Sequence, residues 1–203
     1  GNGGYHPMKI KLRSQNSSGF SFYFLGLLVV LSIINFPVHS GKAAPTMGQK
    51  QFFGKTKPIP EALGRQMVGV SWKSGCPVAL KNLRLLEMDY WDGEGRRHRG
   101  GLVVHQDVAS ELLDIFAQLF ERKFPLVSMK PISEFGGSDA RSMKVNNTSA
   151  FNCRPKTGQS KGYSIHSFGR AIDINPLWNP YVRKKKVLPI AGEQFAKRTP
   201  CKP

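Results

Sequence analysis

The segment Ser164–Asp173, SIHSFGRAID, holds two side chains that can do chemistry, the imidazole of His166 and the carboxylate of Asp173 seven positions later. Both suit a first-row metal, and zinc takes imidazole nitrogen and carboxylate oxygen at about 2.0–2.2 Å. Two ligands are only part of a site. Catalytic zinc needs three protein ligands and an open position for water, and hydrolysis also needs a carboxylate that accepts the water's proton. Spacing alone leaves the alternative open, a surface histidine and an unrelated turn aspartate.

The elements around the motif must bring the two groups together. AIDIN alternates as a strand does, with Ala171, Asp173 and Asn175 on one face and Ile172 and Ile174 on the other, so Asp173 should face a cleft or solvent while the isoleucines face the core. Gly169 allows the chain to turn and return His166 beside Asp173. TSAFNCR reads as the preceding strand and PKTGQSKG as the connecting turn. Further upstream, IPEALGRQMVG suggests a short helix opened by Pro60, and LRLLEMDYWD and GLVVHQ form a hairpin around the turn GEGRRHRG. DVASELLDIFAQLFERKF is the clearest helix, with Val108, Leu112, Ile115, Phe116 and Leu119 at helical spacing and Asp107 as its N-cap. PLVSMKPI reads as another strand, and SEFGGSDARSMKVNN as a loop with about one helical turn. This irregular order of strands and helices predicts an α+β fold with a small antiparallel sheet flanked by helices.

Before this domain the sequence changes character. Residues 1–7, GNGGYHP, read as upstream translation or a scar. MKIKLRSQNSSG, basic and without acids, then leads into the apolar run Phe20–Val38. That is the layout of a secretory signal cleaved after a residue such as Ser40, or of an uncleaved N-terminal anchor; both export the remainder of the chain to the periplasm or cell envelope. Residues 41–58 read as a linker and 59–203 as the domain. The net charge of +17 includes Lys9, Lys11 and Arg13 in the leader, leaving about +14 on the rest. Such a charge favours anionic partners, and for an exported chain these are wall polymers or anionic lipid, with no nucleic acid among them. The one dense basic run, RKKK at Arg183–Lys186, reads as a solvated loop. None of Cys76, Cys153 and Cys201 makes a C-x-x-C pair, and an oxidising compartment favours a Cys76–Cys153 bridge with Cys201 left over.

The motif also resembles a family signature. Ser164, His166, Gly169, Ala171 and Asp173 match the S-x-H-x-x-G-x-A-x-D pattern of the zinc D-Ala-D-Ala and L-Ala-D-Glu peptidases, the VanY-type carboxypeptidases and endolysins. Similarity extends over about residues 58–198, through SWKSGCPVALKNLRLLEMDYWDG, GGSDARSMKVNNTSAFNCRP and AIDINPLWNPYV. The resemblance implies a hedgehog or DD-peptidase-like domain, zinc as cofactor, and the peptides of peptidoglycan as substrate. It implies His166 and Asp173 as metal ligands, Arg154 as the group that steadies the carbonyl oxygen, and Ser164 in the wall of the substrate cleft. His105 falls at the start of the long helix in the resembling proteins, a structural position.

One part of the pattern is not matched. Relatives carry a third ligand and a general base in an acidic-x-x-His element near the C-terminus, whereas after Asp173 this sequence has no histidine and Glu193 as its only acid. The expectation is therefore a truncated or frameshifted peptidase that holds zinc weakly and hydrolyses poorly. A wall-binding pseudoenzyme comes second, and a replacement ligand from His105, His98 or Cys201 last.

Overall fold

A computed structural model describes residues 51–156, 161–183 and 186–197. The leader, residues 41–50 of the expected linker, and Cys201 lie outside the described residues. The linker reading ends earlier than expected. Gly54–Pro58 form a strand, β1, paired antiparallel along its whole length with β2 (Leu83–Trp91), in register from Gly54 opposite Met88 to Pro58 opposite Arg84. Lys55 and Lys57 made the segment look like a solvated tether, but on an edge strand lysines can point to solvent while the backbone pairs.

The helix α1 (Glu61–Met67) follows, with Pro60 at its N-cap, and then β2 and β3 (Arg97–His105) form the hairpin. β3 begins within the segment expected to be turn, its register running from Leu83 opposite His105 to Trp91 opposite Arg97. The three-stranded sheet has the order β1-β2-β3 and is antiparallel throughout, so the fold is α+β. Both faces of its centre are covered. Leu86, Met88, Leu102 and Val104 pack against Leu112, Phe116 and Leu119 of α2 (Ala109–Glu121), while Leu83 and Val103 pack with Met67, Val78 and Phe151. Coverage on two sides explains why Leu102, Val103 and Val104 are buried consecutively.

Asp107 does not cap α2. A 3-10 turn, Gln106–Val108, leads into the helix, and the Nδ1 of His105 accepts the hydrogen bond from the Asp107 backbone N–H at 3.2 Å. The Asp107 carboxylate instead pairs with Arg170, within the motif.

After α2 come β4 (Ser128–Met129), α3 (Asp139–Lys144) and β5 (Asn147–Thr148), and β4 and β5 pair in parallel. The strands expected over PLVSMKPI, TSAFNCR and AIDIN shrink to short bridges for a specific reason. Ser149 exchanges backbone hydrogen bonds with Asp173, but Phe151 donates to Val103, Asn152 to His166 and Cys153 to Ser71. One segment shared among four partners cannot build a ladder with any of them. A Cys76–Cys153 disulfide, with Cα atoms 6.0 Å apart, ties this segment to the loop after α1. The antiparallel pair β6 (Tyr181–Arg183) and β7 (Lys186–Leu188) ends the described fold, followed by a 3-10 turn over Ile190–Phe195.

A charged clamp fastens β1. Asp89 is 2% exposed and accepts hydrogen bonds from the Nε of Arg97 and of Arg99, each at 3.1 Å, and from the backbone N–H of Phe53 at 3.1 Å. The Arg99 guanidinium also lies 3.8 Å from the Phe53 ring centroid. Burial alone would raise the Asp89 pKa, but the hydrogen bonds and charges of the two arginines outweigh it and hold it below the ordinary aspartate value. A depressed carboxyl pKa adds stability that is present above the unfolded value and is lost as pH falls through the folded one. Asp89→Asn is therefore expected to cost about 2 kcal/mol at neutral pH, with the deficit shrinking as pH drops below about 4. Thermal midpoints of both proteins from pH 3 to pH 7 check this, and a pH-independent deficit would contradict it.

Candidate active site

The motif folds as a 3-10 turn, Ile165–Phe168, closed at both ends by its own fixed residues. Ser164 is the N-cap, its Oγ accepting from the His166 backbone N–H at 3.4 Å. Gly169 closes the turn at φ +64°, and its N–H donates to the His166 carbonyl. Glycine is required here twice over. The left-handed conformation disfavours a side chain, and a Cβ would stand 2.6 Å from the His105 backbone nitrogen, because that N–H donates to the Gly169 carbonyl at 2.9 Å. The turn is thereby pressed against the end of β3.

Ser167, wholly buried, fastens the other side. Its Oγ accepts from the Arg154 N–H at 3.0 Å and lies 3.2 and 3.0 Å from the carbonyls of Asn152 and Arg154, to which the hydroxyl can donate. Sequence reasoning missed this residue, since nothing in the motif's spacing reveals a partner thirteen positions away. Ser167→Ala would leave a buried N–H without its acceptor. The expected cost is about 2 kcal/mol of stability, with roughly tenfold weaker zinc binding, measured by denaturant titration and by competition with a chromophoric chelator.

These contacts set the geometry of the pair. The Nδ1 of His166 lies 2.8 Å from the Ala150 carbonyl oxygen, which can only accept, so Nδ1 carries the proton. The other nitrogen, Nε2, lies 3.3 Å from Asp173 Oδ2. The imidazole is nearly covered, whereas the Asp173 side chain is 45% exposed. In a neutral imidazole of this tautomer two acceptor atoms face each other, an arrangement that calls for a proton on Nε2 or a cation between the two. Two ligands of a tetrahedral zinc, each at roughly 2.0–2.1 Å, stand about 3.3 Å apart. The separation and the Nδ1–H···O=C bond both fit a metal-binding histidine and its neighbouring carboxylate. As half of a zinc site the pair fits. Among the described residues, no third His, Cys, Asp or Glu joins it.

The other expected site residues fall in several places. Asp173 keeps its exposed position, but Ala171 and Asn175, expected on its face, are 7% and 5% exposed. The Asn175 side chain accepts from the Val127 N–H and donates to the Pro125 carbonyl, anchoring the chain just beyond Asp173. Ser164, which the resemblance sets in the cleft wall, is 7% exposed and is used as a cap. Arg154 is one-quarter exposed and ion-paired with Asp139, whose other oxygen accepts from Asn152 Nδ2 at 2.7 Å. His98 lies near the start of β3, where its hydrogen bond to Asp92 is the main cause of that carboxyl's lowered pKa. Burial pushes the His105 pKa down despite the nearby Asp107 carboxylate, and its Nδ1 is taken up by the turn. Neither histidine is brought to the pair. Cys201 lies outside the described residues.

A family model described as D-alanyl-D-alanine carboxypeptidase, of the M15 peptidases, matches residues 157–201. The matched stretch contains the whole turn and Asp173, and it supports a peptidase of the carboxypeptidase kind. No curated protein matches the chain, and no solved structure matches it.

Proposed function

We propose that the domain is a zinc-dependent peptidase of the cell wall, hydrolysing peptide bonds of D-amino acids in peptidoglycan stem peptides as a carboxypeptidase or endopeptidase. The observation that carries this reading is the approach of His166 Nε2 to Asp173 Oδ2, 3.3 Å apart with Nδ1 committed to the Ala150 carbonyl. His166 and Asp173 would hold the metal, which supplies a Lewis acid and a bound water whose pKa falls to about 7. The rest of the chemistry belongs to the chain. Ala150 keeps the imidazole in the tautomer that offers Nε2, and the cap at Ser164 and the buried Ser167 hold the ring in place. Arg154, kept on the adjoining segment by Asp139, is the cation that would take up negative charge developing on the substrate's carbonyl oxygen. Basic surface charge would keep an exported enzyme close to anionic wall material.

A second reading is favoured by the count of two ligands among the described residues. On this reading the domain binds wall peptides without cutting them. Incubation with purified muropeptides and zinc, followed by mass spectrometry, separates the two. Slow cleavage that a chelator stops is the expected result; peptide binding with no cleavage at any zinc concentration would replace the peptidase reading with the binding one.

A further inference from the structure

The carboxylate of Asp139 is shared between two residues of the segment that runs beside the His166 turn. Its Oδ1 accepts from Asn152 Nδ2 at 2.7 Å, and its Oδ2 pairs with the Nε of Arg154. Asn152 is 2% exposed, and its Nδ2 also donates to the Gly137 carbonyl at 3.2 Å, so its amide bonds twice to the chain that enters α3. The carboxylate is therefore fixed by a buried partner before it meets the arginine. An ion pair between two mobile surface side chains holds geometry poorly. Here one partner is pinned, and both side chains of the pair are largely covered. The Nη1 of Arg154 donates in turn to the Pro155 carbonyl at 3.3 Å, and anchors at Nε and Nη1 together set the plane of the guanidinium. The backbone of Asn152 meanwhile faces the other partner. Its N–H donates to the His166 carbonyl at 3.3 Å, and its own carbonyl lies 3.2 Å from Ser167 Oγ. One buried residue thus joins the turn that carries His166 to the carboxylate that holds Arg154.

We infer that Asp139 is a positioning residue of the peptidase reaction: anchored to the His166 turn through Asn152, it fixes the guanidinium of Arg154 in one place relative to His166. The inference rests on the peptidase reading and adds to it the part that aims the arginine. Asp139 does not touch the substrate and acts through Arg154. A cation held in place before negative charge develops on the carbonyl oxygen needs no reorganisation as the bond is attacked, whereas a loose arginine must be ordered at an entropic cost. The carboxylate also offsets part of the arginine's charge. Were shielding its main effect, its removal would speed the reaction; a positioning carboxylate is removed at a loss of rate.

Steady-state cleavage of purified muropeptides by the full chain at saturating zinc tests this in Asp139→Ala, Arg154→Ala and the double variant. Asp139→Ala is expected to lower kcat by about ten- to a hundredfold, with KM and zinc affinity nearly unchanged. In the Arg154→Ala background the same substitution should lower kcat no further, because the group it acts through is gone. Asp139→Asn keeps an acceptor oxygen and nearly the native volume, and it should recover part of the rate. Native or raised kcat in Asp139→Ala would overturn the inference. So would an equal further loss in the Arg154→Ala background, which marks general damage to the fold. The native chain's own cleavage separates the two levels: its absence removes the peptidase reading and this role with it, whereas native cleavage with Asp139→Ala unaffected removes the role alone. Near-UV circular dichroism of each variant confirms that the fold is kept.

Discussion

His166→Ala is expected to weaken zinc binding by about a hundredfold or more, because it removes one of only two ligands that the described fold brings together. Its cost to stability should be small by comparison, about 1 kcal/mol for the hydrogen bond to the Ala150 carbonyl. Asp173→Asn keeps the shape, and at 45% exposure of the side chain it should leave the thermal midpoint nearly unchanged while also lowering zinc affinity. Competition with a chromophoric chelator measures the affinities, and muropeptide cleavage should fall in parallel. Unchanged zinc affinity in both variants would mean that the 3.3 Å approach is an ordinary ion pair between imidazolium and carboxylate, and the metal reading would go with it.

Gly169→Ala should damage the same site without touching a ligand. The left-handed backbone costs a non-glycine residue about 1 kcal/mol or more, and the new Cβ would meet the His105 nitrogen at 2.6 Å, against backbone that cannot swing away. Together these predict a loss of about 3 kcal/mol, or roughly 10 °C in the thermal midpoint of a domain this size. The turn would have to lift from β3 and take His166 with it, so zinc affinity should fall even at temperatures where the protein stays folded. A variant with native stability and native zinc affinity would show that the turn does not depend on its contact with β3.

The two variants probe different links of one chain of cause. His166 supplies the atom that binds; Gly169 supplies the close approach that puts the atom in place. Ser167, between them in sequence, holds the opposite side of the turn through Asn152 and Arg154. Loss of binding in all three, with marked loss of stability in only the last two, is the pattern that separates ligation from positioning.

Much of the framework was legible in the sequence because its signals are local. The apolar spacing from Val108 to Leu119 specifies a helix, and LRLLEMDYWD and GLVVHQ about a short turn specify a hairpin, although its second strand reaches back to Arg97 through residues expected to be turn. In the same way Ile172 and Ile174 announced core positions and left Asp173 half-exposed between them. The pairing of residues far apart was not legible. Nothing in GKTKP marks it as a strand, since its partner β2 lies about thirty residues on and the anchor at Phe53 comes from a buried aspartate in that partner. Likewise the segment after β5 has strand composition, but its hydrogen bonds are divided among β3, the His166 turn, Asp173 and Ser71, a division that only packing can impose.

The sequence by itself determined which groups could do the chemistry: an imidazole, a carboxylate seven residues on, and a glycine between them that permits the turn. Residue type and short-range spacing are local properties, and they suffice for that much. Only the tertiary structure decided which nitrogen of His166 is offered, because the proton on the other is fixed by a carbonyl sixteen positions away. It also decided that Ser164 is spent as a cap and that Arg154 is held by Asp139. A hydrogen bond depends on where two groups meet in space, and for groups far apart along the chain that meeting is set by the packing of everything between them.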